Sequence, residues 1–336
     1  MVVGKSGPRK HGRGGWPRRV PRDVKPSHAD EDLAERPERV LRALERSRAR
    51  LEWAEARRTF ASEEEREAFT KAFMAAHVEP LPDDLTPLEK AQELIYDAFD
   101  TPRRDKQRRI QLARKALELS PDCADAYAML AEFDAETPEA SRELFQKGVE
   151  AGERALGPER FREYTGDFWG IVRTRGYMRA RSGLAQTLWA LGEKEAAIAH
   201  LWDMLRLNPE DHQNMQSILA EWLLELHRDD ELMALFDRYK EHRHAQRLYD
   251  EALLTYRRTG DSLAANGLLR RAVAENPHVP DFLLGRVQVP SGRIASYKLG
   301  GGDEAILYAQ GRLRSWRDTL GALAWLAEQT ASSGDR

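Results

Sequence analysis

The chain has 336 residues, 41% hydrophobic and 32% charged, with a formal net charge of −3. Its one cysteine, Cys123, excludes an internal disulfide and a cysteine-based zinc cage, and no stretch approaches the roughly 20 consecutive apolar residues of a membrane span. The basic residues near the start are not followed by the apolar segment of a secretory signal. We therefore expect a soluble, cytoplasmic protein that makes no membrane contact.

Residues 1–30 form a basic segment rich in glycine and proline. They hold eight Lys and Arg against two Asp, a charge of +6, which leaves −9 for the rest of the chain. Because they contain almost nothing apolar to bury, they do not offset the entropy lost on ordering, and we expect a disordered tail. Such a tail is either solvated or an arm that binds phosphate backbones. The acidic remainder argues against an extended nucleic-acid surface.

Residues 31–79 have the pattern of a helical N-terminal extension. Apolar side chains recur at helical spacing between residues 33 and 53, with Arg and Glu between them. Ser62 followed by Glu65 has the form of a capping box, which opens a second helix. A run of prolines after this extension breaks the helical pattern and indicates a boundary.

Residues 88–285 contain helical hairpins at a regular period. The pattern in 177–209 predicts two amphipathic helices joined at Gly192 and closed by Pro209, and residues 248–277 have the same form. The prolines that close these two segments lie 68 residues apart, twice the period of about 34 residues that is typical of tetratricopeptide repeats. Small residues at equivalent positions of both segments let paired helices approach closely.

These hairpins predict an all-α, tetratricopeptide-type solenoid of about five repeats. The spacing of the prolines places a long insertion in the repeat that contains residues 124–177. Residues 286–330 are expected to form a loop and one capping helix, from Ser315 to Gln329, which closes the end of the stack. The alternative is a generic helical bundle whose helices happen to recur at this spacing.

One run carries a family resemblance. GDFWGIVRTRGYMRARSGLAQTLWALGEKEAAIAHLWDMLRLNPEDHQ (166–213) resembles bacterial tetratricopeptide proteins related to the suppressor-of-tumorigenicity-seven family. The likeness covers roughly residues 88–327 and includes NPHVPDFLLG (276–285). Gly176 departs from it, since the family usually has proline there. The resemblance implies the repeat fold but no defined biochemical activity.

The segment around the start of the 177–209 hairpin is the strongest candidate for partner binding. In tetratricopeptide solenoids the first helix of each hairpin lines a concave groove. Arginine there clamps carboxylates bidentately, and large aromatic side chains serve as anchors. The candidate residues on or beside this groove are Trp169, Arg173, Arg175, Tyr177, Arg179, Ser182, Gln186 and Trp189. The alternative is that Trp169 and Tyr177 pack the inserted loop while the arginines pair with Asp167 and Glu163.

Other motifs give no catalytic, metal or cofactor site. His242 and His244 form an isolated pair without further ligands at metal-binding spacing. The glycines 300–302 precede two acidic residues, which would repel a phosphate, so they predict a turn that opens a helix. We therefore expect no metal, no cofactor and no enzyme activity.

The sequence favours a non-catalytic protein–protein interaction scaffold. Its partner would be a protein or peptide of unknown identity, bound as a peptide or helix in the concave groove. The alternative is a nucleic-acid-associated regulatory protein that uses the basic N-terminal arm.

Overall fold

The structure is a computed structural model that describes residues 28–76, 81–240, 244–292, 294 and 297–331, with side chains from residue 39 onward. These residues form fifteen α-helices, one 3-10 helix and no β-strand. In chain order the helices are α1 (His28–Glu55), α2 (Glu63–Ala75), α3 (Pro87–Asp100), α4 (Lys106–Leu119), α5 (Ala124–Phe133), α6 (Pro138–Glu163), η1 (Val172–Thr174), α7 (Arg175–Ala190), α8 (Lys194–Leu207), α9 (Met215–Glu225), α10 (Asp229–Arg238), α11 (Ala245–Thr259), α12 (Leu263–Glu275), α13 (Val279–Leu283), α14 (Gly302–Asp318) and α15 (Ala322–Ala331).

From α3 onward, most helices pack against their neighbours in chain order. Contacts join α3 to α4, and this continues helix by helix as far as α10; α11 packs on α12 in the same way. In each of the two predicted hairpins, a short turn joins the two helices. The turns lie at Gly192 (φ +84°) between α7 and α8 and at Gly260 (φ +66°) between α11 and α12. Glycine fits both turns because it adopts positive φ without a steric penalty.

The odd-numbered helices also contact one another. α3 contacts α5, α5 contacts α7, and α9 contacts α11. Between α7 and α9, the rings of Trp189 and Trp222 stack with centroids 4.4 Å apart and an interplanar angle of 3°. Fully buried alanines, such as Ala185 in α7 and Ala197 in α8, keep the helix contacts close. The odd-numbered helices from α3 to α11 therefore share one side of the structure.

The segment in which the sequence predicts an insertion consists of α6 and the loop after it. This helix covers 26 residues, with a break at Gly157 (φ +69°) followed by Pro158. The segment after α6 turns back towards the end of α8, where the amides of Gly166 and Phe168 donate to the carbonyl of Leu207 over 2.9 and 3.2 Å. These bonds satisfy a carbonyl that the helix end leaves without an intrahelical partner.

The ends of the chain differ in part from the sequence-based expectations. Residues 1–27 of the predicted basic tail lie outside the described residues. The N-terminal extension forms α1 and α2, and the Ser62 side chain accepts from the amide of Glu65 over 3.2 Å, as its capping motif predicts. The prediction of one helix over 315–329 is wrong: α14 ends at Asp318 and α15 begins at Ala322, because Gly321 adopts φ +79° between them.

None of the helices in the described ranges has an apolar run long enough to cross a bilayer.

Candidate functional site: a helix held on the face of α3, α5 and α7

Helix α1 lies on the side that the odd-numbered helices share. It contacts α3 and η1, and its side chains pair with α7. We name the surface formed by α3, α5, α7 and η1 the cradle. α1 runs antiparallel to α3, since Arg57 near its end pairs with Glu89 near the start of α3 (2.7 Å) and Arg46 pairs with Asp100 at the end of α3 (3.1 Å).

A three-residue clamp joins α1, α5 and α7 in the interior. The Arg179 guanidinium donates to Glu45 through Nη2 and Nη1 over 2.8 and 3.1 Å, and through Nε to Asp125 over 2.6 Å. Glu45 is 3% exposed, Asp125 2% and Arg179 13%. Arg175 adds a longer contact to Glu45, 3.3 Å from its Nη1. One guanidinium therefore holds two buried carboxylates, one of which α1 supplies.

The clamp keeps both carboxyl groups ionised. Burial by itself raises the pKa of Glu45 and of Asp125, because it disfavours the charged form. The charge of Arg179 and its hydrogen bonds outweigh this, so the pKa of each carboxyl lies below its ordinary value. The clamp is thus a charged unit at neutral pH.

A second set of charge pairs lies along the edge of α1 that faces α3. Glu93 accepts from Arg50 Nε and Nη2, both over 2.8 Å, and also from Arg46. Asp97 pairs with Arg46 as well, over 2.8 Å. These carboxylates give α3 an acidic edge that matches the basic edge of α1.

The apolar part of the α1 contact is small. Ala49 and Trp53 are buried against Tyr96 and Val172, and among the α1 side chains that the structure describes, from residue 39 onward, Trp53 is the one large apolar residue there. On its outer side α1 exposes three further apolar residues, Val40, Leu41 and Leu44. Charge pairs and one aromatic side chain therefore hold α1 on the cradle, rather than a broad hydrophobic interface.

Two cavities flank α1. The first, of about 510 Å³, lies next to Trp53 and is also lined by Tyr96 and Tyr177. The second, of about 520 Å³, lies near Arg42 and reaches Ser182 and Gln186 on α7. No group of three His, Cys, Asp or Glu side chains suited to a metal ion occurs in the part of the chain that the structure describes.

The three candidate arginines near the start of α7 pair with carboxylates, but not with those named from the sequence. Arg175 and Arg179 pair with Glu45, and Arg173 pairs with Glu52 over 3.4 Å. The alternative expectation, that these arginines pair with Asp167 and Glu163, is therefore wrong. The partners come from α1 and α5 because those helices cover the side of α7 on which the arginines lie.

Two of the three candidate aromatic residues lie against the inserted segment. Tyr177 is 1% exposed, and its ring meets those of Phe161 and Phe168 edge-on, with centroids 5.3 and 5.8 Å apart. Its ring belongs to the interior, so the expectation that it anchors a partner in the groove is wrong. Trp169 is half-buried, and the guanidinium carbons of Arg175 and Arg179 lie 5.3 and 5.9 Å from its ring centroid. This matches the alternative in which both aromatics pack the loop.

The last three candidates lie further along α7. Gln186 is exposed and donates to the Ser182 hydroxyl over 3.2 Å. Trp189 is half-buried in its stack with Trp222, and Lys194 Nζ lies 3.3 Å from the Trp189 ring centroid. Ser182 and Gln186 thus line an accessible cavity, whereas Trp189 mainly joins two hairpins. A partner-binding role for them stays a prediction.

The clamp residues Glu45 and Asp125 were not among the sequence-based candidates. Asp125 carries a detectable signal, because it is the one charged residue in the otherwise small and apolar run CADAYAMLA before Glu132. A carboxylate in such a run needs a buried cation. Glu45 carries no comparable signal, since α1 holds many alternating charges.

A similar buried ion pair lies near the other end of the chain. Arg312 of α14 donates through Nε to both oxygens of Asp250 on α11, each over 3.0 Å, and through Nη2 to the carbonyl of Ser217 on α9 over 2.9 Å. Arg312 and Asp250 are both buried. α14 therefore covers α9 and α11 much as α1 covers α3 and α7.

Glu45→Gln is expected to loosen α1 while the rest of the fold stays intact. Arg179 keeps Asp125, so only the α1 side of the clamp weakens, by about 1.5–3 kcal/mol for a hydrogen bond to a charged group. Hydrogen exchange of the α1 amides should accelerate about 10- to 100-fold, with little change in α7. Glu52→Gln, at the more exposed pair with Arg173, is the control. Equal acceleration in both variants would contradict the assignment.

The same clamp gives the docking of α1 a defined pH dependence. The folded pKa of Glu45 lies below its ordinary value of 4.5, so its contribution is fully present above that value. The contribution is lost as the pH falls through the lowered folded pKa. Below about pH 4.5, exchange of α1 should therefore rise in the wild type, and less so in Glu45→Gln.

Comparison with known proteins gives a consistent family match. A family model described as ST7 protein matches residues 82–332. "Suppressor of tumorigenicity 7 protein-like" proteins of Bos taurus and Homo sapiens are each 30% identical over 250 residues, which cover 66% of this chain and 43% and 42% of theirs. "Protein ST7 homolog" of Drosophila melanogaster is 27% identical over 262 residues, covering 69% of this chain and 48% of its own.

The extent of these matches bears on the site. The chain spans less than half the length of these three animal relatives. The family match includes Asp125 and Arg179, whereas it begins after α1 and α2 and so leaves Glu45 outside. The sequence resemblance was to bacterial tetratricopeptide proteins; these comparisons support the family and neither the bacterial affiliation nor the repeat type.

Proposed function

The chain belongs to the ST7 protein family, and on that premise we propose that it is a non-catalytic scaffold, which binds a peptide or helix on the side formed by its odd-numbered helices. We propose further that α3 to α12 form five tetratricopeptide-type hairpins in a solenoid, with this side as its concave wall. The packing of helices in chain order and the contacts among odd-numbered helices support the repeat arrangement.

The observation that carries the proposal is that the cradle already holds a helix. Arg179 meets Glu45 bidentately, and Glu93 receives two arginines from the same helix. Bidentate arginine–carboxylate pairs fix both the position and the orientation of a bound segment. A wall that holds α1 in this way has the chemistry to hold a helix of a partner.

The accessible part of this wall is the cavity of about 520 Å³ next to Arg42. Gln186 is exposed at this cavity, and Ser182 lies one helical turn earlier on α7. A partner that binds this wall and extends along α7 would contact these two side chains.

Gln186→Trp is expected to reduce partner recovery at least about tenfold, a change of about 1.4 kcal/mol in binding free energy. The indole fills the cavity mouth from an exposed position, so the melting temperature should not change. The measurement is quantitative affinity capture with isotope-labelled mass spectrometry.

The matched control is Gln146→Trp, the same substitution at an exposed glutamine of the even-numbered helix α6. Partners that survive Gln146→Trp and are lost with Gln186→Trp support the proposal. If the two variants recover the same amounts of each partner, the side formed by the odd-numbered helices is not the binding surface.

The alternative function, nucleic-acid binding by the basic arm, makes a different prediction. Its eight Lys and Arg would give an affinity that falls steeply as salt rises, and deletion of residues 1–30 would abolish it. Gln186→Trp would leave such binding unchanged. A cytoplasmic location, the setting proposed for either function, fits the single cysteine.

A further inference from the structure

We propose that α1 occupies the site of a partner helix, and that the cradle recognises an amphipathic helix with the same register of charged and aromatic side chains as α1. The inference rests on the proposed function and adds to it the class of partner and a competition within the chain. The partner would bring one carboxylate to Arg179, an arginine to Glu93 and an aromatic ring to the space between Tyr96 and Val172.

The register follows from the face that α1 presents to the cradle. Glu45, Ala49 and Trp53 lie at intervals of four residues, so they form one stripe, and all three are buried. Arg46 and Arg50 also lie four residues apart, beside this stripe, and both reach Glu93. The cradle therefore recognises a helix that has a carboxylate, a small residue and an aromatic residue on one face and arginines along one edge of that face.

The arginines of α7 that α1 leaves behind keep polar partners in or beside the cradle. Arg179 remains paired with Asp125, which in turn accepts from Gln92 Nε2 over 2.9 Å. Arg175 remains close to the ring of Trp169 and donates to its carbonyl over 2.8 Å. No charge of the clamp is left both buried and alone, so exchange of the helix avoids the large penalty of breaking a buried ion pair.

The α1 contact is also weak in apolar terms, which makes exchange accessible. The apolar cluster that α1 shares with the cradle has four buried members, whereas one continuous cluster joins α6 to α15. The docked position leaves three apolar side chains of α1 exposed, so their burial does not stabilise it: Val40, Leu41 and Leu44. A helix with the same charged stripe and a better apolar fit would displace α1.

The family match separates the two parts in the same way. Residues 82–332 contain α3, α5, η1 and α7, the complete cradle, and exclude α1. The binding surface thus lies within the matched segment, whereas its intramolecular occupant lies outside it.

The test measures binding of a fluorescent synthetic peptide with the sequence of residues 39–60 to the full chain by anisotropy. Arg50→Glu in the chain places a glutamate next to Glu93, and the repulsion weakens the docking of α1 on the cradle. The peptide retains its own arginine at this position. The peptide should bind this variant at least about tenfold tighter than the wild type, since affinity rises with the fraction of open cradle. Arg48→Glu, on the exposed side of α1, should bind like the wild type.

A second peptide establishes the register. Replacing Glu45 with alanine in the peptide should weaken its binding to the Arg50→Glu chain at least about tenfold, because Arg179 then loses its partner on the helix. An equal affinity of both peptides, an equal affinity for all three chains, or no binding to any of them would overturn the inference. A dimer of the Arg50→Glu chain that the peptide dissociates would overturn it too, and would identify a second copy as the occupant.

These outcomes are separate from those of the proposed function. Loss of partner capture in Gln186→Trp without peptide exchange would leave the scaffold and remove α1 as its competitor. If the peptide binds as expected but Gln186→Trp changes the recovery of no partner, the cradle binds its own helix and the scaffold function is not supported.

Discussion

Arg179→Glu is expected to remove at least about 3–5 kcal/mol of unfolding free energy, the usual effect of deleting one partner of a buried ion pair. The substitution also places a third carboxylate between Glu45 and Asp125, both of which are buried. Because the total stability of a domain is typically about 5–15 kcal/mol, this loss is a large fraction of it, and the urea midpoint should fall markedly. Urea denaturation followed by circular dichroism at pH 7 measures the loss.

The control for this variant lies six residues earlier. Arg173 is 37% exposed and pairs with a half-buried Glu52, so Arg173→Glu should cost no more than about 1 kcal/mol. Two variants with the same change of charge, close together in the chain, then separate the clamp from a general effect of charge. Similar urea midpoints for both would show that Arg179 is not a structural residue.

Arg312→Ala is expected to destabilise the other end of the chain by a similar amount, about 3–5 kcal/mol. It leaves Asp250 buried without its cation and removes a donor from Glu221 and from the carbonyl of Ser217. Burial already raises the pKa of Asp250 against the opposing effect of Arg312. The loss of unfolding free energy should therefore be larger at pH 8 than at pH 5, where the Asp250 carboxyl can take up a proton.

Arg314→Ala is the matched control, because Arg314 lies on the same helix and pairs with Glu225 while 73% exposed. It should change the stability by no more than about 1 kcal/mol. The double variant Asp250→Leu with Arg312→Met should recover most of the loss, since apolar replacement of a buried pair is often neutral. A double variant as unstable as Arg312→Ala would show that the damage comes from packing rather than from the isolated charge.

The hairpins could be predicted from the sequence because their signals are local. Gly192 and Gly260 end α7 and α11, and Pro209 and Pro277 follow α8 and α12 within two residues. Each signal acts within a few residues of the feature it sets, through allowed φ angles or a missing amide. The one clear local failure, the helix predicted over 315–329, follows from reading through Gly321.

The contact between α1 and the cradle could not be predicted in the same way. The sequence placed Arg179 on the side of α7 that faces a bound segment, and α1 does lie against that side. With 53 Lys and Arg and 56 Asp and Glu in the chain, however, complementary charge does not select Glu45 as the partner. Only the packing of distant helices decides which pairs are shielded from water and so become strong.

The position of α1 also matters while the chain is being made. Glu45 and Arg179 are 134 residues apart, whereas hairpin contacts join segments that follow one another. At roughly 5–20 residues per second, α1 leaves the ribosome on the order of ten seconds before the helix that seats it. During that interval Trp53 has no cradle to cover it, so a nascent-chain chaperone has its best opportunity to bind this helix before α7 emerges.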